Sequence, residues 1–129
     1  MSRGKFLVID DDPDVGDLFG RIAQKEDFET RVVTGPEDFK ALCESFAPDV
    51  IMLDIFMPET DGFELLHYLG KRHCPAALIL TSGKDRHFLC SAEQLAQAYG
   101  LKVLDKLSKP VRVQDLTRPL AKAPCVKPG

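Results

Sequence analysis

The sequence predicts an α/β fold, a (βα)5 doubly wound parallel five-stranded sheet with helices on both faces. Three observations carry that prediction. Short apolar runs alternate with stretches of helical periodicity five times along the 129 residues. The run Val50-Ile51-Met52-Leu53 is apolar at successive positions, the pattern of a strand covered on both sides. The segments between runs are long enough for helical crossovers, which demand parallel strands and right-handed connections.

Each element follows from its residues. The first strand, 5–9, reads KFLVI and runs into acids. Asp12 caps a first helix that begins with Pro13, whose fixed φ and missing N–H suit the first helical position. Val15, Leu18, Phe19 and Ile22 form its apolar stripe, and Gly16 and Gly20, four apart, permit close packing on one side. The second strand, ETRVV at 29–33, is shorter and more polar, which places it near an edge. Gly35-Pro36 opens a second helix with Phe39, Leu42, Cys43 and Phe46 as its stripe, and Pro48 stops it. The third strand is DVIMLD at 49–54.

After a loop, Asp61 caps a third helix containing Phe63, Leu65, Leu66 and Leu69. The fourth strand is AALILT at 76–81. A fourth helix over 85–99 carries Phe88, Ala92, Leu95 and Tyr99, with Gly100 as its stop. The fifth strand lies in LKVLDKL at 101–107. The fifth helix runs from Val111 to Arg118 with Val113, Leu116 and Leu120 as contacts, and a break or kink is expected at Pro119. The domain is expected to occupy 1–120, leaving 121–129 as a Pro- and Lys-containing tail or linker.

Composition narrows the function classes. A net charge of −3 gives no general attraction to nucleic acid, so no direct nucleic-acid binding is expected. No apolar run approaches the ~20 residues of a transmembrane helix, and the N-terminus lacks the pattern of a signal peptide. Cys43, Cys74, Cys90 and Cys125 form no CxxC pair, and His67, His73 and His87 share no ligand spacing. They read as reduced thiols and surface or packing imidazoles of a cytoplasmic protein.

The polar residues at the strand ends carry the chemistry. In an open α/β sheet the working crevice lies at the carboxyl ends of the strands. There the first strand delivers Asp10 and Asp11, the third Asp54, the fourth Thr81 and Ser82, and the fifth leads to Lys109. Three carboxylates in one crevice repel, and a divalent cation relieves that; Mg2+ takes oxygen ligands, commonly one or two carboxylates with waters and phosphate. A hydroxyl at Thr81 and an ammonium at Lys109 suit phosphoryl oxygens. The set equips a site for phosphoryl transfer by positioning and charge neutralisation.

VIDDD at 8–12, LDIFMPETDG at 53–62, LILTSG at 78–83 and LSKPV at 107–111 stand in register, and together they resemble the receiver domain of bacterial two-component response regulators. The resemblance spans about 5–118. It implies the flavodoxin-like strand order 2-1-3-4-5. It implies that Asp54 accepts a phosphoryl group from a phosphohistidine on a sensor histidine kinase or histidine phosphotransfer protein. Asp10 and Asp11, with Asp54 and the backbone carbonyl of Phe56, match the Mg2+ site. Thr81 and Lys109 match the residues that hold the phosphoryl group, and the Lys109-Pro110 bond matches one that is usually cis.

Three positions depart from the family pattern. Lys106 stands where receivers usually place an aromatic switch residue, so Lys106 is expected to stay outside. Phe56 stands where many carry a polar residue, and its ring is expected to shield Asp54 from water. Pro119 interrupts the fifth helix, part of the surface many receivers use to dimerise or meet an output domain. The stretch 91–111 is also similar to receivers that precede cyclic-dinucleotide phosphodiesterase domains. Two other readings stand beside this one. A Mg2+-dependent phosphohydrolase on a similar sheet would want a second aspartate where Phe56 stands, and an unphosphorylated pseudo-receiver would act by binding alone.

Overall fold

A computed structural model describes residues 2–83 and 86–123. Residues 124–129, which hold Cys125 and most of the expected tail, lie outside the described residues, as do 84–85. Five helices alternate with the strands: β1 (Gly4–Ile9), α1 (Pro13–Lys25), β2 (Phe28–Val33), α2 (Pro36–Ser45), β3 (Val50–Asp54), then the two-residue strands β4 (Phe56–Met57) and β5 (Thr60–Asp61), α3 (Gly62–Lys71), β6 (Ala77–Ser82), α4 (Arg86–Ala98), β7 (Lys102–Ser108) and α5 (Val113–Lys122). The main sheet has five parallel strands in the order β2-β1-β3-β6-β7. Counting only its own strands, that is the expected 2-1-3-4-5. The polar strand β2 is indeed an edge.

The period of two along each strand divides the core into two layers. Leu7 and Ile9 of β1 and Ile51 and Leu53 of β3 face α2, α3 and α4, together with Phe39, Leu66 and Leu69. Phe6 and Val8 of β1 and Val50 and Met52 of β3 face α1 and α5, together with Phe19, Ile22, Leu116 and Leu120. All five residues of β3 are buried, as a central strand covered on both faces requires. Helix α1 lies close on β2 because two glycines face Val32. A Cβ at Gly16 would stand 2.7 Å from Val32 Cγ1 and one at Gly20 3.0 Å from Val32 Cγ2.

Several expectations are corrected. Leu18 and Val113 are 48% and 57% exposed, so neither belongs to a core stripe. The deep stripe of α4 is Leu89, Ala92 and Ala96, with Leu95 and Tyr99 only partly buried at its margin. A helix stripe spans about 100° and its border falls between neighbouring residues, which spacing alone does not place. Helix α5 does not stop at Pro119 but runs to Lys122, into the stretch expected as tail. Proline there forfeits one hydrogen bond to the Asp115 carbonyl, a cost of about 3 kcal/mol. Leu116 and Leu120, both fully buried, offset it at about 1.5–3 kcal/mol each. The antiparallel β4–β5 pair, Phe56 with Asp61 and Met57 with Thr60, was expected as plain loop. Two-residue strands have no periodicity to read.

Candidate functional site

The crevice at the carboxyl end of the sheet gathers the residues named at the strand ends. Ladder bonds carry the strands to their last residue: Asp10 N–H donates to Val33 O (3.2 Å), Ile55 N–H to Thr81 O (2.8 Å) and Lys109 N–H to Ser82 O (2.9 Å). The Lys109-Pro110 bond is cis. Asp10, Asp54, Thr81 and Ser82 are buried to 1% exposure or less, while Asp11 is exposed at the mouth. Lys109 reaches in to place Nζ 2.7 Å from Asp10 Oδ2 and 3.1 Å from Asp54 Oδ2. Asp54 Oδ1 accepts the backbone N–H of Phe56 at 3.1 Å, a donor that no side-chain pattern reveals. Thr81 donates its hydroxyl proton to Leu53 O over a long 3.5 Å, so the hydroxyl is held weakly.

Two carboxylates confront one ammonium in a buried place, and the electrostatics follow. Burial pushes Asp54 up from 3.8 to about 6; Lys109 works against that and Asp10 adds to it. For Lys109, burial opposes the charge, but the contacts with Asp10 and Asp54 outweigh it, and its pKa is raised. Asp10 Oδ1 accepts the Asp12 N–H at 3.0 Å. Asp10 Oδ2 lies 2.7 Å from Lys109 Nζ, its ion-pair partner. A buried carboxylate favours a cation beside it, and Asp10 has a second carboxylate within reach of the same ammonium. Ligand oxygens of Asp10, Asp11 and Asp54 all lie within 4.8 Å of one another. That all-oxygen set, open to water at Asp11, fits a hard divalent ion that keeps part of its hydration shell.

The neighbours divide into support and bystanders. Asp12 accepts from Asp14 N–H (3.0 Å) and Val15 N–H (3.4 Å), so it caps α1 as expected. Asp61 accepts from Phe63 N–H at 2.9 Å and caps α3. Gly62 packs on the backbone next to Asp54: a Cβ there would stand 2.5 Å from Ile55 O and 2.6 Å from Ile55 Cα. Lys106 is exposed on the outer side of β7 and pairs with Glu93 at 2.9 Å, away from the crevice. His67 Nδ1 lies 3.0 Å from the Tyr99 hydroxyl at the surface. Cys43, Cys74 and Cys90 are free thiols, and burial pushes Cys43 up to about 12. Phe56 is 40% exposed and its ring meets Phe88 edge-on at 5.7 Å, a long-range contact that spacing along the chain did not disclose.

A five-stranded parallel sheet with an acidic crevice at its carboxyl end defines the class of the fold. The sequence model of the response regulator receiver domain matches residues 6–121, and the chain belongs to that family. It is 34% identical over 124 residues to an uncharacterized 14.6 kDa protein of Leptolyngbya boryana, covering 92% of this chain and 88% of that one. It is 31% identical over 121 residues to the positive alginate biosynthesis regulatory protein of Pseudomonas aeruginosa, covering 91% of this chain and 46% of that protein. A response regulator from Colwellia psychrerythraea superposes with a TM-score of 0.82 at 34% identity, over 94% of this chain and 96% of that one. The chain spans half or less of the length of the first curated relatives it matches, 46%, 50% and 26%. Receiver domains are parts of two-component response regulators, not classical turnover enzymes. Among the described residues no helix is long and apolar enough to cross a membrane.

Proposed function

We propose that this domain is the phosphoacceptor of a two-component pathway, with Asp54 as the residue modified. The observation that carries the reading is the half-buried Lys109 ammonium, shared between buried Asp10 at 2.7 Å and buried Asp54 at 3.1 Å. One oxygen of Asp54 attacks the phosphorus of a phosphohistidine on a sensor histidine kinase or histidine phosphotransfer protein. The P–N bond breaks, its electron pair stays on the imidazole nitrogen, and an aspartyl phosphate forms. Lys109 then neutralises part of the phosphoryl charge from the inner side of the crevice. Thr81, held by one long bond, exchanges Leu53 O for a phosphoryl oxygen. The Phe56 N–H keeps the Asp54 carboxylate oriented from the side.

Asp10, Asp11, Asp54 and the backbone carbonyl of Phe56 would hold Mg2+. Bound there, the ion supplies positive charge that brings the carboxylates and the phosphoryl group together. Loss of phosphate is the reverse in kind: water attacks phosphorus, the P–O bond to Asp54 breaks, and the carboxylate returns. The exposed phenyl at position 56 offers no acid or base for that step, which weighs against a phosphohydrolase. The modified state would be read by an output domain or partner in the cytoplasm.

Incubation with acetyl phosphate and Mg2+ is expected to add one phosphoryl group by mass, and Asp54→Asn is expected to abolish it. Uptake that persists in Asp54→Asn, or no uptake at all by the unaltered chain, would overturn the assignment.

A further inference from the structure

Next to the crevice, on the α3 and α4 side, lies an aromatic cleft of about 550 Å3. Phe56, Phe63 and Phe88 supply its apolar surface, linked by ring contacts of 5.7 Å between Phe56 and Phe88 and 6.5 Å between Phe63 and Phe88. A second hollow of about 230 Å3 continues past Phe63 and Phe88 toward His87 and Ser91. Phe56 is 40% exposed, a large apolar side chain partly open to water. An exposed ring joined to two partly buried ones in an open cleft suits a surface that another molecule covers.

The described acidic and basic residues that line the cleft are all acidic. Glu59, Asp61 and Glu64 are exposed and line it, and among the described lining residues of both hollows none is Lys or Arg. Asp61 spends one oxygen on the α3 cap, which leaves Glu59 and Glu64 as the carboxylates turned to solvent. An apolar floor bordered by carboxylates fits a ligand with a bulky apolar anchor between cationic groups. We propose that this cleft docks a basic amphipathic segment of a partner protein, an apolar side chain seated among Phe56, Phe63 and Phe88 and lysines or arginines set against Glu59 and Glu64. The surface belongs to the unmodified domain, and the proposal stands whether or not Asp54 is the phosphoacceptor.

The test uses the whole chain, isotopically labelled and unphosphorylated. The probe is a synthetic amphipathic helix with a leucine stripe flanked by lysines. Two controls accompany it, the same stripe flanked by glutamates and a lysine peptide without the stripe. The first peptide is expected to shift amides of 56–64 and 86–91, and both controls to bind at least roughly tenfold more weakly. The double variant E59K/E64K, changed only at exposed positions, is expected to lose roughly tenfold in affinity with an unchanged melting temperature. Phe88→Ala is expected to weaken the same peptide. No binding, equal binding of either control, full affinity in E59K/E64K, or shifts centred on α4, β7 and α5 instead would each overturn the proposal.

Discussion

Lys106 and Lys109 stand three residues apart around the end of β7, and each meets a carboxylate at nearly the same distance. Lys106 reaches Glu93 at 2.9 Å; Lys109 reaches Asp10 at 2.7 Å and Asp54 at 3.1 Å. What differs is the partner. The Glu93 side chain keeps 30% of its exposure, whereas Asp10 and Asp54 keep 1%. Distance alone would rank the two regions as equals. Water decides otherwise, because a surface pair exchanges one set of solvated contacts for another, while a buried carboxylate without its cation has no substitute.

Removing the inner lysine is the strongest way to break the comparison. Lys109→Met is expected to destabilise the Mg2+-free domain by about 3 kcal/mol in urea unfolding, and to block phosphoryl uptake. Cost and block should both be absent in Lys106→Met. The second test runs in the opposite direction. Asp54 has its pKa raised from 3.8 to about 6, so the folded chain holds that proton more tightly than the unfolded chain. The stability it contributes is fully present below pH 3.8, and is lost as pH rises to about 6. Asp54→Asn is therefore expected to stabilise the Mg2+-free domain at pH 7–8 by up to about 3 kcal/mol and to flatten that pH dependence. A variant less stable than its parent at pH 8 would count against it.

Mg2+ itself sharpens the contrast at a lower amplitude. At tenfold its dissociation constant, one bound ion is expected to add about 1.4 kcal/mol to the unfolding free energy, and Asp11→Asn should remove most of it. The smallest effect belongs to the outer pair: Glu93→Gln is expected to change stability by less than about 1 kcal/mol, and less still at high salt. A large loss there would mean that the outer face of β7 carries more of the fold than its exposure allows.

Much of this arrangement was legible in the sequence, for a physical reason. Strand ends collect at one edge of a parallel sheet, so Asp10, Asp54, Thr81 and Lys109 converge once the strands are recognised, however far apart they lie in the chain. Caps were legible at Asp12 and Asp61 because they act within three residues. What escaped was decided by tertiary contact. Leu18 belongs to a helical stripe by spacing, yet it stands 48% exposed outside both core layers. Pro119 breaks an isolated helix, yet Leu116 and Leu120 on either side hold this one to the core. The rings of Phe56 and Phe88 lie 32 positions apart in sequence and meet only after α3 and β6 have folded between them. The Glu93–Lys106 pair is of the same kind.

Gly62 closes the run that begins at Asp54, and its neighbour is rigid backbone, Ile55 O at 2.5 Å and Ile55 Cα at 2.6 Å from any added Cβ. A saturation library at this position should return glycine alone among folded clones. Position 35 should accept most residues, since a Cβ there meets nothing within 4 Å, and Ser, Asp or Asn should even improve the start of α2. Two glycines at helix entrances thus carry unlike information. One is a vacancy that any small polar residue can fill. The other is fixed against the backbone of the loop after Asp54, so the Asp-Gly that closes the run identifies how the chain is folded around Asp54 rather than what Asp54 does.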